Sequence, residues 1–87
     1  MNEDHIKKVQ DLLMQWNPLG ERAKKIEDLN DYETEAIDIL WYIDKKSTVE
    51  RINNIMVQIL NEGFHLNLDR KGSIKWAEKI KNIITEK

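Results

Sequence analysis

Apolar side chains recur every three or four residues along most of the chain, which is the spacing of amphipathic helices. Four segments with this spacing are predicted to be helices, at about residues 3–16, 32–45, 48–62 and 70–85. An irregular loop over residues 17–31 is expected to join the first two. Strict alternation occurs only from Phe64 to Leu68, and a single strand of that length would have nothing to pair with. The pattern therefore predicts an all-α fold, a compact bundle of four helices in one domain of residues 1–87.

The same spacing predicts which side chains face the interior. The inward residues are expected to be Ile6, Val9, Leu12, Leu13 and Trp16 in the first helix, Ala36, Ile37, Leu40, Trp41 and Ile43 in the second, Val49, Ile52, Ile55, Met56, Ile59 and Leu60 in the third, and Ile74, Ala77, Ile80, Ile83 and Ile84 in the fourth. The apolar connection from Phe64 to Leu68 is expected to pack against the bundle.

Capping signals mark several predicted helix ends. Asn2 or Asp4 can cap the first helix, and the Asn17-Pro18-Leu19-Gly20 run is expected to end it, because proline disfavours helical backbone in the residue before it. Ser47-Thr48-Val49-Glu50 has the sequence of a capping box at the start of the third helix. Gly63 is predicted to end that helix in a left-handed conformation.

One short helical element is also expected within the predicted loop. Residues 21–31 could form a short helical turn around Ala23, Ile26 and Leu29, and the second helix should begin near Asp31 or Tyr32. Acidic residues are favoured in that first turn by the helix dipole.

Charge is unevenly distributed along the 87 residues, although the formal net charge is only −2. Residues 27–38 contain six acids and no base, namely Glu27, Asp28, Asp31, Glu33, Glu35 and Asp38. Residues 70–87 contain six bases, Arg70, Lys71, Lys75, Lys79, Lys81 and Lys87, against Glu78 and Glu86. Two interpretations stay open: solvated faces that attract each other weakly across the fold, or an acidic patch offered to a basic partner.

Composition limits the classes of protein to consider. Cysteine is absent, and the N-terminal Met1–His5 segment lacks the apolar region of a signal peptide, so we expect a cytoplasmic protein. No apolar run approaches the roughly 20 residues that span a bilayer, so no membrane association is expected. The net negative charge argues against general nucleic-acid binding, which depends on phosphate neutralisation.

Few residues are candidates for catalysis or metal binding. His5 and His65 have no predicted partners, so neither a catalytic triad nor a zinc site is indicated, and no cofactor is expected. Asp31, Glu35 and Asp38 would share one face of the second helix, where carboxylates could hold a divalent cation or divide acid and base roles. The alternative is that these acids only suit a helix start, and we predict that the protein is not an enzyme.

Aromatic residues give the strongest indication of a partner. Trp76 and Tyr42 lie off the main apolar stripes of their helices, and a tryptophan at the edge of a small bundle can anchor another protein or a second copy of the chain. The alternative is that the aromatics are bulky members of the core, which is the role expected for Trp41.

Two motifs resemble a known family. Trp16-Asn17-Pro18-Leu19-Gly20 and, later, Tyr32-Glu33-Thr34-Glu35-Ala36 are similar to the pattern of the YugE-like family, small bacterial helical proteins classed as a domain of unknown function. This chain has a longer, charged stretch between the motifs. The resemblance spans most of the chain and implies an α-helical cytoplasmic protein, but no activity.

The resemblance also indicates where a site would lie. If Trp16 and Pro18 pack beside the first turn of the second helix, then Tyr32, Glu33 and Glu35 lie together at one end of the bundle, in either a structural or a binding role.

The sequence therefore predicts a protein-interaction module, of an immunity or regulatory type, that binds another protein or itself as a homodimer. The candidate binding residues are Trp16, Tyr32, Glu33, Glu35 and Trp76. A small metal-binding protein or enzyme that uses the carboxylates of the second helix is the alternative, and nucleic-acid binding through the lysines of the fourth helix ranks last.

Overall fold

Four α-helices form the described part of the protein, and their order along the chain agrees with the predicted all-α bundle. The computed structural model describes residues 2–26 and 29–85. The helices are α1 (Glu3–Trp16), α2 (Glu33–Trp41), α3 (Val49–Phe64) and α4 (Arg70–Thr85), with two short 3₁₀ segments, Gly20–Lys25 and Asn30–Tyr32, between α1 and α2. No strand occurs in the described residues. Glu27, Asp28, Glu86 and Lys87, which contribute to the charge pattern, lie outside the described residues.

The helices pack in a ring around one core. α1 contacts α2 and α4, α3 contacts α2 and α4, and the most extensive of these contacts joins α3 to α4. α2 and α4, whose residues are all described, do not contact each other and therefore occupy diagonal corners. The described acids of α2 and the bases of α4 thus lie at diagonal corners of the ring and not on touching helices.

The core consists mainly of the predicted apolar stripes. Its buried side chains are Val9, Leu12, Leu13, Leu19, Tyr32, Ala36, Ile39, Leu40, Ile52, Met56, Leu60, Ala77, Ile80 and Ile84. Phe64, Leu66 and Leu68 pack partly buried against this core, which confirms that the connection before α4 is tucked onto the bundle.

The start and end of α1 follow the predicted signals. The Asn2 Oδ1 atom accepts hydrogen bonds from the backbone N–H groups of Asp4 (2.8 Å) and His5 (3.3 Å), so Asn2 is the cap. At the other end, Asn17 has left-handed backbone angles, and Gly20 has a φ of 57° that glycine adopts without steric cost. The Asn17–Gly20 run therefore turns the chain as expected.

Helix α2 is shorter than predicted, with nine residues ending at Trp41 instead of Lys45. The Asp44 side chain explains the early end, because its Oδ1 accepts the Lys46 N–H at 2.8 Å and so gives the backbone an alternative to helical bonds. The Asp44 N–H in turn donates to Ser47 Oγ at 3.0 Å. From α4, the Lys81 ammonium group donates to the carbonyls of Lys45 (2.8 Å) and Ser47 (2.5 Å), which fastens this connection.

The predicted inward face of α2 is also wrong in part. Trp41 is 72% exposed, whereas Ile39, which was not expected to face inward, is fully buried. Ala36, Ile39 and Leu40 fall at positions i, i+3 and i+4 and form the buried stripe, which leaves Trp41 on the outer side of the helix.

The capping box predicted before α3 is wrong, because the helix is capped one residue later and Arg51, not a glutamate, then stands at the third helical position. Thr48, not Ser47, is the cap, and its Oγ1 accepts the Arg51 N–H at 3.1 Å. The Ser47 hydroxyl is instead used in the turn with Asp44.

The C-terminal end of α3 corrects the prediction for Gly63. The helix continues through Gly63 to Phe64, and His65 adopts the left-handed conformation with a φ of 54°. A Cβ atom added to Gly63 would meet no other atom within 4 Å. The pattern identified a left-handed helix end but placed it two residues early.

Substitutions at these two positions test the correction. We expect Gly63→Ala to raise the free energy of unfolding by about 0.5–1 kcal/mol, because it adds a better helix former at an unobstructed helical position. His65→Gly should raise it by up to about 1 kcal/mol, since glycine removes the cost of left-handed backbone. Urea unfolding followed by circular dichroism measures both; a loss of stability in Gly63→Ala would place the left-handed residue at Gly63 after all.

Candidate interaction surfaces

Tyr32 lies at the centre of the corner between α1 and α2. Its side chain is 2% exposed, and its hydroxyl donates to Asn17 Oδ1 at 3.2 Å. Its ring meets Phe64 edge-on, with ring centroids 6.4 Å apart. Arg22 strengthens the same corner by donating from its guanidinium to the Phe64 carbonyl at 2.8 Å. The end of α1 thus packs beside the start of α2, and the buried Tyr32 side chain offers no surface to a partner.

The surroundings of Tyr32 also keep its hydroxyl protonated. Burial raises the pKa of Tyr32 above its ordinary value, a hydrogen bond with the Leu19 backbone opposes this shift, and the Glu35 carboxylate adds to it. A neutral hydroxyl is the form that donates to Asn17. The group therefore acts as a structural donor and not as a proton carrier at neutral pH.

The backbone before α2 is strained. Asn30, Asp31 and Tyr32 all have positive φ angles, of 51°, 56° and 64°. Left-handed backbone costs an L-residue on the order of 1–2 kcal/mol, less for Asn and Asp, so three in succession need support from their surroundings. The Gln10 side-chain amide lies 3.5 Å from the carbonyl oxygens of Asn30 and Asp31 and supports this backbone. The burial of Tyr32 contributes the remaining stabilisation of the turn.

This strained turn changes the predicted carboxylate face. Asp31 lies in the 3₁₀ segment before α2, so it does not share a helical face with Glu35 and Asp38, and that expectation is wrong. Glu33 is exposed and Glu35 half-buried in the first turn of α2. Among the described residues, no group of three or more histidine, cysteine or acidic side chains is arranged to hold a metal ion.

Trp16 and Trp76 form a stacked pair between α1 and α4. Their ring centroids are 5.6 Å apart and their planes differ by 15°. Both side chains are half-buried. The ammonium groups of Lys79 and Lys75 lie 4.6 Å and 5.5 Å from the Trp76 ring centroid, within the range of cation–π attraction. The pair therefore joins two helices and carries two cations at its outer edge.

A second aromatic surface lies at the end of α2, and the sequence pattern indicated only one of its two residues, Tyr42. Trp41 (72% exposed) and Tyr42 (60% exposed) are adjacent at the end of α2, and among the described residues they are the most exposed of the large hydrophobic side chains. Tyr42 borders an open groove of about 750 Å³ between α2 and α3. The groove is lined by Asp38, Tyr42, Arg51, Ile55, Gln58, Ile59, Glu62 and Gly63. We call Trp41 and Tyr42 together with this groove the α2–α3 surface.

The sequence does contain a pattern from which the exposure of Trp41 could have been predicted. Residues 39–43 are all apolar, so the run has no polar position to show which side of the helix faces water. Projecting the i, i+3, i+4 spacing from Ala36 would have selected Ile39 and Leu40 and left Trp41 outside.

The predicted binding residues thus fall into two places. Trp16 and Trp76 meet at the α1–α4 edge, whereas Tyr32, Glu33 and Glu35 lie at the start of α2. The Trp16–Leu19 corner connects them, because Asn17 and Leu19 both contact the Tyr32 hydroxyl.

In comparisons with known proteins, the chain matches no protein-family model, no curated protein and no solved structure. None of the helices in residues 2–26 and 29–85 combines the length and the hydropathy that a membrane span requires.

Proposed function

We propose that this protein is a small protein-binding module whose docking site is the α2–α3 surface. The observation that carries the proposal is the exposure of Trp41 and Tyr42 side by side. Tryptophan and tyrosine are the residues most enriched where protein interfaces concentrate their binding energy. Two such rings in water, of which Tyr42 borders the groove, are costly to leave uncovered, since each aromatic buries on the order of 150–250 Å² when it packs.

The shape of the groove supports an amphipathic helix as the occupant. The groove lies between two helices, and Ile55 and Ile59, half-buried and one turn apart on α3, contribute its apolar lining. Asp38, Glu62 and Arg51 place charges of both signs around them. A helix with one apolar stripe and flanking charges satisfies these features, as in other helix-in-groove complexes.

A cytosolic immunity or regulatory protein of bacterial type is the concrete form of this proposal. Such a protein acts by covering its partner and needs no catalytic group, which is consistent with a non-enzymatic role. Kinship with the YugE-like family rests on the Trp16–Gly20 and Tyr32–Ala36 motifs and is part of the same proposal.

Site-specific photo-crosslinking tests the function. A benzophenone amino acid at Gln58, an exposed position that lines the groove, should capture one protein from a lysate of the encoding organism, and the same probe at exposed Lys24 should not. In the Gln58 probe background, Trp41→Ser/Tyr42→Ser should remove the capture. Met14→Ser, at the third most exposed large hydrophobic residue, should leave it unchanged and serves as the control.

Mass spectrometry of the captured peptide identifies the occupant. An amphipathic helix of another protein is the expected result. Equal capture at Gln58 and Lys24, or capture that survives Trp41→Ser/Tyr42→Ser, would contradict the proposal. Capture of a second copy of this chain would replace the foreign partner with a homodimer.

A further inference from the structure

The outer side of α4 is a row of positive charge. Lys71, Lys75 and Lys79 are spaced four residues apart, and all three side chains are exposed. Residues four apart on a helix are neighbours, and like charges at this spacing destabilise a helix by a few tenths of a kcal/mol per pair. Folding alone therefore does not favour this arrangement. An anionic partner would attract all three ammonium groups and so offset the repulsion between them.

Trp76 organises two of these lysines. The ammonium groups of Lys75 and Lys79 both lie over its ring, and stacking on Trp16 fixes the ring between α1 and α4. The two cations are thereby held beside an apolar indole edge instead of moving freely on long side chains. Such preorganisation lowers the entropic cost of binding an anion.

Within residues 2–26 and 29–85, the acidic helix α2 does not neutralise this row. The acids of α2 lie on the diagonal corner and do not contact α4. Lys81, in contrast, is engaged with the carbonyls of Lys45 and Ser47 and does not belong to the row. Glu78 is the one acid in α4, against five bases.

We propose that Lys71, Lys75 and Lys79, together with the edge of Trp76, form a second binding surface that takes an acidic polypeptide segment. Carboxylates spaced along an extended segment or a helix pair with the ammonium groups, and an apolar side chain beside them covers the indole edge. This surface lies on a different helix from the α2–α3 surface, so the two sites can be occupied by different segments.

An acidic protein segment fits this surface better than a nucleic acid. Single strands bind through aromatic rings that offer a free face to the bases. The Trp76 ring already carries a stacked indole and two ammonium groups, which leaves little ring area for a base.

Fluorescence titration tests this proposal. In a Trp41→Phe background the emission comes from Trp16 and Trp76 alone, so it reports on the α4 surface and not on the α2–α3 surface. Short poly-L-glutamate should change this emission with a saturable profile, and the affinity should fall as ionic strength rises. Lys71→Glu/Lys75→Glu/Lys79→Glu should weaken binding at least about tenfold.

A matched variant separates a site from a net-charge effect. Lys7→Glu/Lys24→Glu/Lys25→Glu changes the net charge by the same amount at three exposed lysines on other segments and should retain nearly all the affinity. Lys75→Gln/Lys79→Gln is a milder second variant that keeps the test valid if charge reversal unfolds α4, as judged by circular dichroism. It should also weaken binding.

Three results would overturn the proposal. The first is no saturable response to poly-L-glutamate; the second is an equal loss of affinity in the two charge-reversal variants. The third is tighter binding of an oligo-dT strand of equal charge, which would make the surface a nucleic-acid site.

Discussion

Replacing Tyr32 with alanine should lower the free energy of unfolding by about 3–5 kcal/mol, the range for deleting a buried aromatic ring. The ring is 2% exposed and packs edge-on against Phe64, and its hydroxyl reaches the Asn17 side chain at the end of α1. Removing it leaves a cavity and also removes the support for the left-handed backbone at Asn30–Tyr32. In a domain of this size each kcal/mol is worth roughly 4–8 °C, so Tm should fall by more than about 10 °C.

Tyr32→Phe is the matched control for this substitution. It keeps the ring and removes one hydrogen bond, so the expected loss is about 1 kcal/mol. Urea unfolding followed by circular dichroism compares the two variants. A loss below about 1 kcal/mol in Tyr32→Ala would show that the corner does not depend on the ring, and Tyr32 would again be available as a binding residue.

The second large effect concerns a buried polar contact between α3 and α4. Asn53 (4% exposed) donates from its side-chain amide to the Arg70 carbonyl at 2.9 Å and accepts from the Ser73 hydroxyl at 2.6 Å. Ser73 is 1% exposed. We expect Asn53→Ala to lower the free energy of unfolding by about 2–3 kcal/mol, because it opens a cavity and leaves buried polar groups less well paired.

A double-mutant cycle isolates the contact itself. Ser73→Ala alone should cost about 1–2 kcal/mol, and the double variant should cost less than the two single losses added together, with a coupling energy of about 1 kcal/mol. Strict additivity in urea unfolding would mean that the two side chains do not support each other. The contact would then not fix the alignment of α3 against α4.

The sequence predicted the helices well where polar and apolar positions alternate clearly. The core positions Val9, Leu13, Ile52 and Ile80 follow from 3.6-residue spacing because each has charged or polar neighbours on the opposite side. The continuous apolar run over residues 39–43 offers no such contrast. Trp41 was therefore placed in the core and Ile39 outside it.

Contacts between distant residues explain the remaining errors. Asn53 and Ser73 are polar, so neither was expected inside, and their mutual hydrogen bond joins positions 20 residues apart. The helical prediction extended α2 past Trp41 because Lys45 and Lys46 suit a helix end. Instead, the turn at Asp44 and the hydrogen bonds from Lys81 of α4 determine the backbone conformation after Trp41.

The candidate site was predictable only in part. The sequence predicts Trp76 as an edge aromatic and Trp16 as an inward residue and binding candidate, and their stacking places both at the α1–α4 edge. Tyr32 is also a predicted binding residue but is buried, and the backbone at Asn30–Tyr32 that leads into it is left-handed. No sequence period signals such a turn where glycine is absent.

The central claim is that Trp41 and Tyr42 lie on the surface of the protein and are not packed into its interior. The free energy of unfolding of the Trp41→Ser/Tyr42→Ser variant tests this most directly. Surface substitutions away from packed features change stability within about 0.5 kcal/mol, and we predict a change of that size. A loss of about 3 kcal/mol or more would mean that both rings are packed in the protein's interior, and the α2–α3 surface would not exist as described.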